Sequence, residues 1–361
     1  MKIGIIGLPN TGKSTLFNAL TGSDAIAADY PYSTIEPNIG TVPVPDKRLD
    51  YLTDMYSPKK TTYATIEFVD IAGLPEGASK GEGLGNKFLS YIREVDAILH
   101  VIRCFSPPEA APPDPLHDIE IVEMELILAD IEIVDRRYQK AEKAGKGNKA
   151  SAVEAEFLKK LLSLLAEGKT AREIEASTPA EIAILKEMPL LSSKPVIFVA
   201  NIPEDEFFKK SNNDNIYVNL IESYAKTANA GVLEICALAE QEMAGLSEEE
   251  RSAFMAELEK ERGLDRLINQ SYALLNLISF LTAGTPEVRA WTITKGTKAK
   301  QAAGKIHSDL ERGFIRAEIV AFDDLKQAGS MAAAKEKGLV RVEGRDYVMQ
   351  DGDITLIRFN V

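Results

Sequence analysis

The amino-terminal segment constrains the fold of this chain more than any other part of it. A short apolar run, Ile3 to Ile6, leads into Gly7-Leu8-Pro9-Asn10-Thr11-Gly12-Lys13-Ser14, and an amphipathic helical pattern follows. Glycine adopts backbone conformations that other residues avoid, so Gly7 and Gly12 allow consecutive N–H groups to turn inward around an anion. The order strand, glycine-rich loop and helix is that of a phosphate-binding P-loop. It predicts an α/β fold that holds a polyphosphate.

The same loop supplies the candidate phosphate ligands. Lys13 can reach the β- and γ-phosphates, the Ser14 hydroxyl can ligate Mg²⁺, and the helix that starts there directs its positive end at the anion. The residues expected to bind the nucleotide phosphates are Asn10, Thr11, Gly12, Lys13, Ser14 and Thr15.

Two later segments indicate a magnesium-dependent switch. Asp70 ends the apolar run Thr65–Asp70, where a carboxylate can hold Mg²⁺ through water, and Gly73 lets a backbone N–H approach the γ-phosphate. Thr34 lies between these motifs and can add its hydroxyl to Mg²⁺ when the γ-phosphate is present. The predicted magnesium ligands are therefore Ser14, Thr34 and Asp70.

Composition excludes several classes of protein. A hydrophobic fraction of 45% and a charged fraction of 27% are typical of a soluble globular chain, and 361 residues leave room for two or three domains. No apolar run approaches the roughly 18 residues of a membrane span, and no secretory leader precedes the first strand. With 2 Cys and 3 widely spaced His, we expect neither a disulfide framework nor a zinc site, and a cytoplasmic location.

The negative charge is concentrated in the first three quarters of the chain. The net charge is −13, yet residues 277–361 contain 13 Lys and Arg against 11 Asp and Glu, which leaves −15 for the rest. An acidic body confines any nucleic-acid contact to a local basic face. Lys295, Lys298, Lys300 and Lys305 form the best such cluster, and a solvated face is the equally open alternative.

The apolar pattern also predicts how the chain is divided. Short strands alternate with helical segments up to residue 105, which is typical of a parallel sheet with crossover helices. Asp118–Ala144 and Ser151–Glu167 have helical periodicity around a glycine turn and predict an antiparallel helical hairpin, or else two helices packed on the core. Glu248–Leu267 is predicted to be helical, and short β-like runs follow Ile278 around one helix near Ala302–Gly313. The predicted parts are a nucleotide-binding domain of residues 1–117 and 191–276, an inserted helical domain of residues 118–190, and an α+β domain of residues 277–361.

The chain resembles the Obg-like ATPases, the YchF subfamily of translation-factor-class P-loop proteins. The matching segments are GLPNTGKSTLFNALT, STIEPNIGTV, FVDIAGLPEGASKGEGLGN, RCF and AAGKIHSDLERGFIRAE. The resemblance covers nearly the whole chain and is weakest from Ser106 to His117 and in the helical hairpin. It implies an Obg-type nucleotide domain with an inserted coiled-coil hairpin and a C-terminal TGS domain of ubiquitin-like fold. It also implies a ribosomal partner (the large subunit) or structured RNA, and neither DNA nor a membrane.

The segment that would read the base favours ATP over GTP. GTPases bind the N–H donors of guanine with the carboxylate of an Asn-Lys-x-Asp motif, whereas this chain has Asn201-Ile202-Pro203-Glu204 after an apolar strand. The lysine is missing and the acid is one methylene longer. Adenine presents an acceptor at N1, which would repel a carboxylate placed for guanine. We expect Asn201 and the backbone around Ile202 to meet the adenine edge, and Phe105 to pack on its face.

The catalytic group is the least defined part of the site. Position 74 is Leu, which cannot orient water as the glutamine of Ras-like enzymes does, so intrinsic hydrolysis should be slow. The family resemblance implies a histidine in the loop after Phe105, but Ser106–Leu116 contains none. His117, at a predicted helix start, is a catalytic candidate beside a capping or surface role. Lys13 can stabilise charge in the transition state.

Asn10 resembles the asparagine that lets related P-loop proteins bind K⁺, so K⁺ dependence stays open. The sequence as a whole predicts a slow Mg²⁺-dependent ATPase that acts as a ribosome-associated switch in translation or a stress response. Two alternatives remain: an Obg-type GTPase, and a nucleotide-stabilised scaffold that binds RNA or ribosomes and turns nucleotide over incidentally.

Overall fold

The computed structural model describes residues 1–22, 37–71, 84–106, 111–209, 215–258 and 262–360. The chain divides into two compact units. The first comprises Met1–Thr41 and Glu67–Arg266, and the second comprises Val42–Ile66 and Leu267–Val361. Within the described ranges, no helix is both long and apolar enough to cross a membrane.

The strands are numbered in chain order. They are β1 (Lys2–Ile6), β2 (Asn38–Pro43), β3 (Thr61–Thr62), β4 (Thr65–Asp70), β5 (Ala97–Arg103), β6 (Val196–Asn201), β7 (Gly231–Ile235), β8 (Leu277–Ala283), β9 (Val288–Thr294), β10 (Phe314–Ala321), β11 (Arg341–Glu343) and β12 (Asp353–Phe359).

The helices are also numbered in chain order. They are α1 (Lys13–Thr21), α2 (Lys47–Tyr56), α3 (Leu84–Glu94), α4 (Pro115–Gly145), α5 (Lys149–Ala166), α6 (Pro179–Glu187), α7 (Glu204–Phe207), α8 (Ile216–Thr227), α9 (Ala237–Met243), α10 (Glu248–Glu257), α11 (Gly263–Leu274), α12 (Ala299–Ile306), α13 (Ser308–Arg312), α14 (Phe322–Ala328) and α15 (Met331–Glu336).

A six-stranded sheet with the order β2-β4-β1-β5-β6-β7 forms the centre of the first unit. The pairs β1–β4, β1–β5, β5–β6 and β6–β7 are parallel, which confirms the predicted parallel sheet. Every residue of β6 is buried, as expected for a strand covered on both faces. The carboxyl ends of parallel strands meet at one edge, so Gly7, Asp70 and Asn201 all follow or end strands on the same side of the sheet.

The helical insertion follows β5. α4 and α5 pack against each other through Val134, Phe157 and Leu161. Residues 146–148 alone join the two helices, so they run antiparallel as predicted. The predicted loop before α4 is too long by two residues: Asp114 caps the helix and Pro115 occupies its first turn, where the missing N–H costs nothing.

The second unit contains its own six-stranded sheet, in the order β11-β10-β12-β8-β9-β3. β10 is antiparallel to β11 and β12, β8 is antiparallel to β9, and β12 is parallel to β8. Phe280, Ile293 and Ile319 are buried at its core. This is the α+β architecture predicted for the C-terminal end, although β3 and α2 come from Val42–Ile66. The predicted domain boundaries themselves stay a prediction.

Two predicted helices are each divided in two. The helix predicted near Ala302–Gly313 breaks at His307, whose extended backbone ends α12 and whose ring nitrogen accepts a hydrogen bond from Asp309 N–H to cap α13. The helical stretch predicted over Glu248–Leu267 contains α10 and part of α11, and residues 259–261 between them lie outside the described residues.

Candidate functional site

The P-loop connects β1 to α1 through a backbone that is left-handed at several positions. Asn10 has φ 62°, Gly12 has φ 96° and Gly7 has φ 150°. A Cβ atom at Gly7 would lie 2.4 Å from the Val101 carbonyl oxygen. This position therefore requires glycine for space as well as for conformation, as the sequence indicated.

Lys13 lies inside the loop. Its side chain is buried, and its Nζ donates a hydrogen bond of 2.6 Å to the Leu8 carbonyl, which also accepts from Thr11 Oγ1 at 3.1 Å. Burial lowers the pKa of Lys13, and the Asp70 carboxylate opposes that shift. Among the described residues, a carbonyl and a nearby carboxylate are the groups that hold this buried ammonium, so it is suited to an anionic ligand.

The first turn of α1 presents further donors. Gly12 occupies the N-cap position, and the described part of the chain provides no side-chain cap from that position to the N–H groups of the first turn. The positive end of a helix and its free N–H groups form an anion site. Ser14 and Thr15, which belong to this turn, are exposed and half-buried respectively.

Asp70 ends β4, directly beside β1. Its Oδ2 accepts a hydrogen bond of 3.0 Å from Ser14 Oγ, while its Oδ1 is buried without a hydrogen-bond partner among the described residues. Burial raises the pKa of Asp70, against the opposing effects of the Ser14 hydrogen bond and Lys13. A carboxylate oxygen without a partner, next to a hydroxyl, is a suitable donor pair for Mg²⁺, which prefers oxygen ligands. The residues present therefore fit this ion.

Asn201 joins the P-loop to the end of β7. Its Nδ2 donates to the Thr11 carbonyl at 2.9 Å, and its Oδ1 accepts from Ala237 N–H at 3.0 Å. A Cβ atom at Gly12 would lie 2.2 Å from the same Nδ2. The carboxamide predicted to meet the purine is thus fixed against the loop predicted to hold the phosphates.

The turn from β7 to α9 is a part of the site that the sequence analysis missed. Cys236 occupies the N-cap position of α9 without a side-chain cap bond, and the Ala237 N–H donates a hydrogen bond to Asn201 Oδ1. Burial raises the pKa of the Cys236 thiol, and the carboxylates of Glu204 and Glu240 add to that effect. β7 is parallel to β6, so its carboxyl end lies at the same edge of the sheet as Asn201. The apolar run of β7 in the sequence was therefore the signal that could have placed the following turn in the site.

The remaining predicted residues are placed as follows. Phe105 is half-buried after β5, and Ile202 is buried with its N–H donating to the Ile235 carbonyl at 2.9 Å. His117 is exposed on the first turn of α4. Thr34, Gly73 and Leu74 lie outside the described residues.

Comparison with known proteins places this geometry in a family. Residues 2–135 match the family described as 50S ribosome-binding GTPase, and residues 277–360 match the YchF-GTPase C-terminal family, described as a protein of unknown function. The chain is 52% identical to a Bacillus subtilis protein named ribosome-binding ATPase YchF, over 99% of each chain. It is 41% identical to chicken Obg-like ATPase 1, over 100% of this chain and 92% of the relative.

A solved structure agrees. The Schizosaccharomyces pombe YchF GTPase superposes with a TM-score of 0.87 and 36% identity, and the match covers 99% of this chain and 97% of that one. Full-length similarity in both sequence and fold, together with the P-loop, Asp70 and Asn201 at one sheet edge, shows that the chain belongs to the YchF family of Obg-like P-loop proteins.

Proposed function

We propose that this protein is a slow Mg²⁺-dependent ATPase whose nucleotide state controls association with the large ribosomal subunit, in the cytoplasm. The observation that carries the proposal is the Asn201 carboxamide, which hydrogen bonds to the P-loop at Thr11 and to Ala237. It supports a site in which a base pocket and a phosphate loop are joined directly. The printed names of the relatives, ribosome-binding ATPase and 50S ribosome-binding GTPase, support the activity and the partner.

The phosphates would be held by the loop from Asn10 to Thr15. The backbone N–H groups and the α1 N-terminus would face the phosphates, and Lys13 would exchange its bond to the Leu8 carbonyl for a charge-assisted bond to phosphate. That exchange also gives the buried ammonium a counter-charge, which should raise the pKa of Lys13 towards its ordinary value.

Ser14 and Asp70 would hold Mg²⁺, with Thr34 and the Gly73 N–H completing the switch side of the site as the sequence predicts. When bound, Mg²⁺ neutralises charge on the β- and γ-phosphates. Before that, Ser14 and Asp70 hydrogen bond to each other, which keeps both oxygen donors in one place.

Adenine is the proposed base, and ATP the proposed nucleotide, because of Asn201 and Glu204. The Asn201 carboxamide retains one N–H and one oxygen lone pair after its two bonds to protein, and these can pair with the acceptor and donor of the adenine edge. Glu204 begins α7 and replaces the shorter acid of a guanine-binding motif. Phe105, half-buried after β5, would pack on the ring.

A GTPase is the second candidate, because one matching family and one matching structure carry that word in their descriptions. Competition between ATP and GTP for the purified protein, followed by calorimetry with Mg²⁺ present, distinguishes the two. Tighter binding of GTP would contradict the argument from Asn201 and Glu204.

Hydrolysis in this proposal depends on positioning and charge rather than on a dedicated base. His117 remains a low-ranking candidate, since it is exposed on the first turn of α4. Asn10, with its left-handed backbone, remains the candidate for a K⁺-dependent step. Comparing hydrolysis in potassium and in sodium, with wild type and Asn10→Ala, tests that role.

The partner is tested by ribosome co-sedimentation. Lys13→Ala should reduce ATP hydrolysis by at least about a hundredfold, as loss of a charged transition-state contact does, and should remove the nucleotide dependence of ribosome binding. Lys226→Ala, an exposed lysine on α8, is the control. Equal and nucleotide-independent ribosome binding by wild type and Lys13→Ala would instead support the scaffold alternative.

RNA contact is proposed for the basic cluster in the second unit. Lys295, Lys298, Lys300 and Lys305 are all exposed, and Lys298 pairs with Asp346 at 2.8 Å. If this cluster touches the phosphate backbone, ribosome binding should weaken steeply with salt, and neutralising these lysines should reduce that slope.

A further inference from the structure

The second compact unit contains a cavity that the nucleotide site does not use. Its volume is about 520 Å³, a size typical of small-molecule sites. Its wall is mostly apolar and includes Trp291, Ile306, Val320 and Met331. Trp291 stacks on Phe280 with ring centroids 6.3 Å apart, which fixes one wall of the cavity.

The cavity is built into the sheet. The central parallel strands β8 and β12 pair at Leu281 and Ile354. The next residues on these strands, 282–283 on β8 and 355–357 on β12, line the cavity. Its walls therefore belong to regular structure, which holds a ligand site more firmly than loops do.

One buried polar group in the wall lacks a partner. Thr355 is 4% exposed, and its Oγ1 has no hydrogen-bond partner in the part of the chain that is described. Nearby, Thr282 Oγ1 accepts a hydrogen bond of 3.0 Å from the Trp291 indole N–H. Buried hydroxyls are normally paired, so Thr355 indicates that something polar completes the wall.

The charges around the cavity favour an anion. Glu287 and Glu318 line it, and each is ion-paired to two cations among the described residues. These pairs are Glu318 with Arg358 at 2.8 Å and with Lys335 at 3.9 Å, and Glu287 with Lys60 at 3.9 Å and with Arg289 at 4.0 Å. Lys335 itself lines the cavity and its side chain is 53% exposed. Because Arg358 already satisfies Glu318 closely, Lys335 is available to a second anion.

We infer that this cavity binds a small amphipathic anion. The apolar, ring-bearing body of the ligand would pack against Trp291, its polar atoms would face Thr355, and its negative head would pair with Lys335. Glu287 and Glu318, the carboxylates of the wall, are already ion-paired. Lys335, the one cation among the described lining residues, is held only loosely by Glu318 at 3.9 Å, so charge complementarity at this end of the cavity favours an anionic head over a cationic one.

The test uses two fluorescent probes of similar shape. 1-Anilinonaphthalene-8-sulfonate is an aromatic anion, and N-phenyl-1-naphthylamine is its uncharged analogue. The chain has 1 Trp, so energy transfer from Trp291 to either probe reports on this unit of the full-length protein. We expect saturable binding of the anionic probe, tighter than that of the neutral one, and unaffected by ATP.

Charge reversal separates a specific site from general adhesion. Lys335→Glu should weaken binding of the anionic probe by about threefold to tenfold, as expected when a partly exposed ion pair is replaced by a repulsion. The affinity for the neutral probe should not change. Lys337→Glu is the matched control, since Lys337 is exposed just after α15 and does not line the cavity. Equal effects of the two substitutions would overturn the inference.

Filling the cavity provides an independent test. Ala283→Phe should abolish energy transfer to both probes at concentrations that saturate wild type, while cooperative thermal unfolding shows that the variant is folded. If that variant does not fold, Thr355→Val provides the test instead. It preserves the shape of the side chain but removes the hydroxyl, so the affinity for the anionic probe should fall by about twofold to tenfold. Undiminished transfer in both variants would show that the probe binds elsewhere.

Discussion

At the residue scale, the nucleotide site depends on one buried carboxamide. Asn201 is 5% exposed, and both ends of its amide bond to backbone groups from other parts of the chain, Thr11 and Ala237. Local hydrogen bonds alone would not bring these segments together. The same residue therefore stabilises the P-loop, in addition to its proposed contact with the base.

Replacing Asn201 with alanine should affect both stability and binding. The change leaves the Ala237 N–H and the Thr11 carbonyl without their partner, which should lower the free energy of unfolding by about 2–3 kcal/mol. Affinity for MgATP should fall by at least about tenfold. Urea denaturation and calorimetry measure the two effects. Asn215→Ala is the control, because Asn215 caps α8 in the same unit and also donates to Glu206. Its loss should lower the free energy of unfolding by about 1–3 kcal/mol, without a change in nucleotide affinity.

Gly12 offers a second residue-scale prediction. A methyl group there would lie 2.2 Å from Asn201 Nδ2, at a φ of +96°. Gly12→Ala should therefore displace either the loop or the carboxamide and abolish measurable nucleotide binding. Gly147→Ala is the matched control, since nothing lies within 4 Å of a Cβ atom there. Wild-type affinity in Gly12→Ala would contradict the geometry of the loop.

Much of this site could be predicted from sequence because its motifs are local. The P-loop, Asp70 and Asn201 each follow an apolar strand, and a parallel sheet brings strand ends to one edge. The Ala237 contact could not be predicted with the same ease, because it depends on which strand lies beside β6. The second role of Asn201 is likewise a consequence of tertiary packing.

At the element scale, buried polar groups on α4 attach this helix to the turn before β6, to Arg172 and to α8. Asp130 on α4 is fully buried and accepts hydrogen bonds from Leu191 N–H at 2.7 Å and from Ser192 N–H at 2.8 Å. Ser192 Oγ adds a third bond at 2.6 Å. Glu123, also on α4, pairs with Arg172 and accepts from the Tyr224 hydroxyl.

Asp130→Ala should therefore be strongly destabilising. It removes the acceptor for three buried donors, and we expect the free energy of unfolding to fall by about 3–5 kcal/mol. Glu132→Ala, two residues along the same helix, removes only an exposed pair with Arg136 and should change stability by less than about 0.5 kcal/mol. Urea denaturation of the two variants compares these effects, and similar losses would contradict this attachment.

A histidine on β5, His100, should make the stability of the protein depend on pH. His100 is completely buried, and burial, aided by the positive charges of Arg172 and Lys13, lowers the pKa of its ring from 6.5 to about 3. Between these values the unfolded chain binds a proton that the native chain does not, so stability falls as the pH falls.

We expect His100→Leu to remove that dependence. Between pH 7 and pH 5, the free energy of unfolding of wild type should fall by about 2 kcal/mol more than that of the variant. Denaturation at several pH values measures the difference. His117→Leu, at an exposed position, should keep the wild-type slope. Parallel pH profiles for His100→Leu and wild type would show that the ring is solvated or paired.

Long periodic elements were predictable and short junctions were not. α4 and α5 have helical periodicity over many turns, so their existence follows from sequence. Their predicted starts, Asp118 and Ser151, lie three and two residues after the observed starts, Pro115 and Lys149. The division between α12 and α13 depends on His307, whose ring caps the second helix, and no apolar pattern signals that break. β3, only two residues long, is defined by its pairing with β9 rather than by its own sequence.

At the scale of the whole molecule, two compact units carry separate chemistry. The first holds the P-loop, Asp70 and Asn201 at one sheet edge, and the second has its own core and a cavity of about 520 Å³. The sequence indicated a switch with an appended α+β module, and the family relationship agrees with that organisation. The cavity had no sequence signal, because residues from several distant strands and helices form it.

The central claim is that the P-loop and Asn201 together form an ATP site. Calorimetric titration of the full-length protein with MgATP and with MgGTP, in wild type and in Gly12→Ala, tests it most directly. We expect one site per chain in wild type, with tighter binding of ATP than of GTP, and no measurable uptake of nucleotide by the variant. No uptake of either nucleotide by wild type, or equal uptake by the variant, would contradict it.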